Sequence, residues 1–147
     1  MIYGPTSSGA STSSLPSLFD VWGIDTDYVV FADSLAIAQI ESYDPVVTRG
    51  SDYYGAGGHS WIIDGYKESL VFLRSYYYLS TDSLTENERS SLTKEDCDGY
   101  MDYEPMLDQK YHMNWGWNGS YDGWYSISNW SVAGYDFSVG KHMIKTN

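Results

Sequence analysis

Two stretches decide how this chain is read: Gly57-Gly58-His59-Ser60-Trp61-Ile62-Ile63-Asp64-Gly65-Tyr66 and Tyr111-His112-Met113-Asn114-Trp115-Gly116-Trp117-Asn118-Gly119, the latter running on to Tyr125 through a second Asp-Gly turn at Asp122-Gly123. In the first, two glycines let the backbone pass close to a neighbour, and His59 opens an apolar strand that gives it a rigid base. In the second, two indoles and two glycines surround an asparagine, which makes a tight turn under an apolar cover. Each has an ordinary reading by itself. A lone His is most often a hydrogen-bonded structural residue, and a Gly-Trp turn is most often core. Together they suggest a chemical pair: an Asn amide oxygen accepting from an imidazole N–H fixes which ring nitrogen faces outward, and a Trp over that bond keeps water away.

The remaining sequence agrees with a strand-rich globule. Fifteen Tyr, six Trp and fourteen Gly in 147 residues, with 42% hydrophobic residues, favour sheet and turn over a helical bundle. Strands are expected at Tyr28–Ala32, Pro45–Gly50, His59–Tyr66, Ser69–Leu79, Lys110–Trp115, Gly123–Ser128 and Lys141–Lys145. Two helices are expected before most of them. The first is capped by Ser14 and carries Leu15, Leu18, Phe19 and Trp22 on one face up to Gly23; the second is capped by Asp33, with Ile37 and Ile40 inward, and ends before Pro45. The expected fold class is α+β: one domain over residues 1–147, two N-terminal helices followed by a mainly antiparallel sheet or partial barrel. Residues 82–108, with nine acids and two bases and little periodicity, read as an acidic insertion forming a solvated loop.

A formal charge of −12 makes nucleic acid and anionic membrane surfaces poor partners. No apolar run reaches the length of a membrane span, and the first ten residues lack the basic and apolar regions of a signal peptide. One cysteine gives no internal disulfide, and neither a metal nor a cofactor is implied.

The ordered set of motifs resembles the streptopain-like cysteine peptidases, a bacterial branch of the papain-like fold. The resemblance rests on GGHSWIIDGY, on YHMNWGWNGSYDGWY, on the opening Tyr3-Gly-Pro-Thr-Ser-Ser-Gly-Ala10 and on Pro45–Gly50 ahead of the histidine, and it leaves 67–108 unmatched. It implies the sheet lobe of a papain-like peptidase, with His59 as catalytic histidine, Asn114 as the residue that orients it and Trp115 as its shield. It further implies that Gly58 lies where a peptide or protein substrate runs, that Ser7, Ser8 and Gly9 belong to the cleft wall, and that the protein is secreted or on the cell surface. His59 and Asn114, though 55 residues apart, are expected to meet within hydrogen-bond reach. Asp64 falls on the strand face opposite His59, and His112 and His142 are expected to be structural or exposed.

The departure from that family is the nucleophile. Its cysteine precedes the histidine, whereas Cys97 follows His59 and stands among Glu95, Asp96 and Asp98, a field that opposes a thiolate. The chain is therefore expected to be the C-terminal part of such a peptidase, inactive alone, with the N-terminal segment as its partner. Two rivals remain at this point: a peptidase homologue that only binds peptides, and a secreted carbohydrate-binding module. Coplanar, solvent-facing aromatics would mark the latter, whereas the peptidase reading buries Trp115.

Overall fold

The structure is a computed structural model that describes residues 2–3 and 8–9 by their backbone and 11–54, 57–78 and 83–147 in full. Two compact units are present, residues 1–67 with 109–147 and residues 68–108.

The first unit is built on a six-stranded sheet whose inner face is set by alternating burial along its strands. The strands are β3 (Thr26–Val30), β4 (Val46–Ser51), β5 (Gly58–Val71), β8 (Met106–Asn114), β9 (Gly123–Ser126) and β12 (Val139–Thr146), in the spatial order β3-β12-β4-β5-β8-β9. The pairings of β12 with β3 and β4, of β4 with β5 and of β8 with β9 are antiparallel. Along β4, Val46, Thr48 and Gly50 are buried; along β5, Trp61 and Ile63; along β8, Tyr111 and Met113. That period of two puts one row of each strand into the core. Trp115, Trp130, Phe137 and Met143 complete the core, which Phe31 joins edge-on to Trp130 at 4.7 Å.

Helix α2 (Asp33–Glu41) packs on β12 and β4 and turns Ala36 and Gln39 inward, with Ile37 and Ile40 partly buried against the core. Ala32, not Asp33, is its N-cap; Asp33 instead accepts the buried Tyr111 hydroxyl at 2.8 Å. Burial and this carboxylate both push the Tyr111 hydroxyl pKa well above its ordinary value. Helix α1 (Leu15–Asp20) is shorter than the sequence suggests and buries none of its residues. Ser14 caps it without a side-chain hydrogen bond, and Leu18, Val21 and Trp22 remain exposed. Two short ribbons, β1 (Ile2–Tyr3) with β2 (Ser8–Gly9) and β10 (Ser131–Val132) with β11 (Tyr135–Asp136), lie outside the main sheet.

The second unit has local structure where a loop was expected over 82–108. Strand β6 (Arg74–Tyr77) pairs antiparallel with β7 (Gly99–Asp102), and α3 (Glu86–Ser90) lies between them in sequence. For α3 and the 3-10 turn Lys94–Asp96 the reason is capping chemistry in the acidic run: Thr85 and Glu88 form a reciprocal capping box, and the Thr93 N–H and hydroxyl donate to Asp96.

Candidate functional site

His59 sits at the start of β5 on the same face as Trp61 and Ile63, opposite Gly50 of β4. Its ring lies between Trp117 at 4.8 Å and Phe137 at 5.6 Å, centroid to centroid, with Trp61 and Trp115 behind at 6.0 and 6.4 Å. Nε2 lies 2.8 Å from the backbone carbonyl oxygen of Trp115. A carbonyl only accepts, so in this contact Nε2 carries the proton and donates it, and the lone pair of the neutral ring is on Nδ1.

The turn after β8 presents that carbonyl. The Trp115 N–H donates to Asp122 Oδ1 at 2.8 Å, and the Gly116 N–H donates to Asn114 Oδ1 at 3.1 Å. Gly116 and Gly119, at φ +73° and +83°, take left-handed conformations that suit glycine. Asn114 thus spends its amide oxygen on its own turn. No hydrogen bond joins Asn114 to His59 among the described residues, although the two motifs do come together as the sequence suggests. The period of the strand explains the difference. Tyr111 and Met113 face the core, so His112 and Asn114 point to the other face, while His59 is on the core side with Trp61. The backbone of the next residue meets the imidazole instead.

The two tryptophans also divide their work differently. Trp115 is fully buried and supplies its carbonyl oxygen, while its ring packs 4.6 Å from that of Trp61. The half-buried Trp117 supplies the ring nearest His59. The indole N–H groups of Trp61 and Trp115 meet no acceptor among the described residues, so both rings contribute apolar area and not hydrogen bonds.

Beside His59 a pocket of about 440 Å³ is lined by Gly57, Gly58, Trp117, Ala133, Tyr135 and Phe137. Gly58 is exposed at its rim, and a side chain there would press on the Arg49 guanidinium at 3.1 Å and the Gly50 carbonyl at 3.2 Å. Ser8 and Gly9 pair with Tyr3 and Ile2 in the short ribbon; Ser7 lies outside the described residues. One positioning residue escaped the sequence reading. Buried Asp52 accepts the Tyr54 N–H at 3.1 Å and the Asp136 N–H at 2.9 Å, and its own N–H donates to the Gly57 carbonyl at 2.7 Å. It thereby ties the glycine loop before His59 to the ribbon that carries Tyr135, and an acid in a Tyr- and Gly-rich loop gave no signal of this.

The other candidates fall elsewhere. Asp64 pairs with His112, Oδ1 to Nδ1 at 2.5 Å, on the outer face. His142 stacks on Tyr28 at 4.7 Å. Cys97 follows the 3-10 turn of the second unit. Among the described residues no group of three or more His, Cys, Asp or Glu is arranged to hold a metal ion, and no helix is long and apolar enough to cross a membrane.

The model of the Peptidase C10 family, the streptopain family, matches residues 86–125. That stretch takes in Asn114, Trp115 and Trp117, and it also includes residues 86–108, which the motifs alone leave outside the resemblance. No curated protein matches the chain significantly. Among solved structures, the chain is similar to the active wild-type interpain A cysteine protease of Prevotella intermedia, with a TM-score of 0.58 and 19% identity over 97% of this chain. The chain spans about half of that protein, 48% of its length. A partial family match and a shared fold of mostly antiparallel sheet with a few short helices therefore bear out the resemblance of this chain to part of a streptopain-like cysteine peptidase.

Proposed function

We propose that this chain is the histidine-bearing part of a cysteine endopeptidase, one partial peptidase domain with an acidic insertion, acting on peptide or protein substrates. The observation that carries the reading is the 2.8 Å contact between His59 Nε2 and the Trp115 carbonyl, beside an aromatic-walled pocket. It makes Nδ1 the basic atom. In the complete enzyme Nδ1 takes the proton of a thiol brought by an N-terminal segment, the thiolate attacks the scissile carbonyl, and the imidazolium then protonates the departing amine. Water hydrolyses the acyl-enzyme with the same base. Trp115 positions the imidazole through its carbonyl, and Asn114 and Asp122 hold the turn that presents it. Trp117 shields the ring, Gly58 leaves room for the substrate backbone, and Ser7, Ser8 and Gly9 form cleft wall by family resemblance.

Exposed Leu18 on α1, with Val21 and Trp22 just after it, leaves an apolar surface that supports a further covering segment, and burial of Trp61, Trp115 and Trp130 speaks against a sugar-binding platform. Secretion follows the family resemblance. The test is cleavage of an unfolded protein under reducing conditions, by the chain alone and by the chain joined to the cysteine-bearing half of interpain A. The chain alone is expected to be inactive. The joined protein is expected to cleave and to lose turnover with His59→Ala, while Cys97→Ser leaves it unchanged. Activity of the chain alone that vanishes with Cys97→Ser would contradict the reading.

A further inference from the structure

Residues 68–108 hold ten acids against three bases, so most of the protein's net negative charge lies in this unit. None of its described residues is buried. Its β6–β7 ribbon has two strands that pair only with each other, and such a ribbon without a covered face is marginal in water. Yet its side chains are those of a core: Phe72 is 73% exposed, Tyr100 56%, Met101 57% and Tyr103 49%. Among the described residues, each strand also leaves an outer edge of backbone groups with no strand partner. Side chains nevertheless hold the ribbon together. Arg74 makes two hydrogen bonds to Asp102, at 2.5 and 2.9 Å, and lies 4.0 Å over the Tyr100 ring, while a side chain at Gly99 would collide with the Tyr77 ring. Beside it, Phe72, Leu73, Arg74, Tyr76, Asp102 and Tyr103 line a pocket of about 400 Å³.

We propose that this ribbon is a docking site for an extended, basic polypeptide segment that lodges an apolar side chain in the Phe72–Tyr103 pocket. An apolar surface of this kind, on an ordered scaffold, marks an interface, and an open strand edge with a pocket beside it suits strand addition. Charge chooses the occupant. The ribbon's one base and one acid, Arg74 and Asp102, engage each other. The surplus of acid therefore lies in the segments that flank the ribbon in sequence, Glu104 next to Tyr103 among them. It favours a cationic partner, steers its approach, and repels a second copy of this chain. Such a site does not depend on the peptidase reading.

The test uses the whole chain and two synthetic peptides of equal Leu and Trp content, one rich in Lys and Arg, the other in Glu, titrated by calorimetry at low and moderate salt. The basic peptide is expected to bind, more weakly as salt rises, and the acidic one at least about tenfold less tightly. Phe72→Ser with Tyr103→Ser, both exposed positions, should weaken the basic peptide by about tenfold or more, as loss of an anchoring aromatic does. Should that variant not fold, Glu104→Lys, next to Tyr103 in the sequence, tests the same site through charge and should also weaken binding. Equal binding of both peptides, binding of neither, wild-type affinity in the variants, or self-association of the chain that Phe72→Ser removes would overturn the proposal.

Discussion

The carbonyl oxygen of Trp115 stands 2.8 Å from Nε2 of His59, in the place where the amide oxygen of Asn114 was expected. A backbone carbonyl is as good an acceptor for fixing an imidazole tautomer as a side-chain amide. It also makes the orientation depend on turn geometry, not on one side chain, and that separates the roles of neighbouring residues.

Gly50 is one such dependence. It pairs with His59 across β4 and β5, and a Cβ there would collide with the Phe137 carbonyl oxygen, which is backbone and cannot swing away. Gly50→Ala is expected to destabilise the protein by about 1–3 kcal/mol. An unchanged urea midpoint would show that the β4–β11 region has more room than this packing implies.

Asp52 is another. With Asp52→Ala, the amides of Tyr54 and Asp136 lose their acceptor, at a cost of roughly 2–4 kcal/mol. Asp52→Asn keeps one acceptor oxygen and should lose about half as much. Equal losses for the two variants in denaturant unfolding would mean that the charge, not the acceptor geometry, matters.

The second unit should respond to acid. Hydrogen bonds from Thr85 lower the Glu88 pKa, those from Thr93 lower that of Asp96, and that from Arg74 lowers that of Asp102. A folded value below the unfolded one means that the stabilisation is complete above the ordinary carboxylate range, about pH 4, and is lost as pH falls through the lowered values. The amide resonances of Thr85 and Thr93, which donate to Glu88 and Asp96 at 2.8 and 3.0 Å, should titrate with midpoints below those of free carboxyls. Ordinary midpoints would show that the caps are open in solution.

The sheet is legible in its apolar, turn-bounded runs, Val46-Val47 and Trp61-Ile62-Ile63 among them. Val46-Val47-Thr48, His59 to Ile63 and Tyr111 to Met113 bury alternate residues once paired. Helix α1 is shorter than its apolar spacing suggests, and Leu18 and Trp22 stay exposed among the described residues. The helix α3 lacks a hydrophobic period because local capping hydrogen bonds create it, and the strand β7 is short and formed by its pairing with β6. At the site, the two motifs were legible and their contact was not. The alternation that buries Tyr111 and Met113 already turns Asn114 away from His59, but motif similarity drew attention to the side chain and not to the backbone beside it.

The tautomer of His59 is the most direct measure of the account. Nitrogen-15 correlation spectra of the neutral imidazole should show the proton on Nε2 and the bare nitrogen at Nδ1. Asn114→Ala should leave that pattern in place, since the acceptor is the Trp115 carbonyl. A proton on Nδ1 in the unaltered protein, or a tautomer that reverses when only the Asn114 side chain is removed, would contradict it.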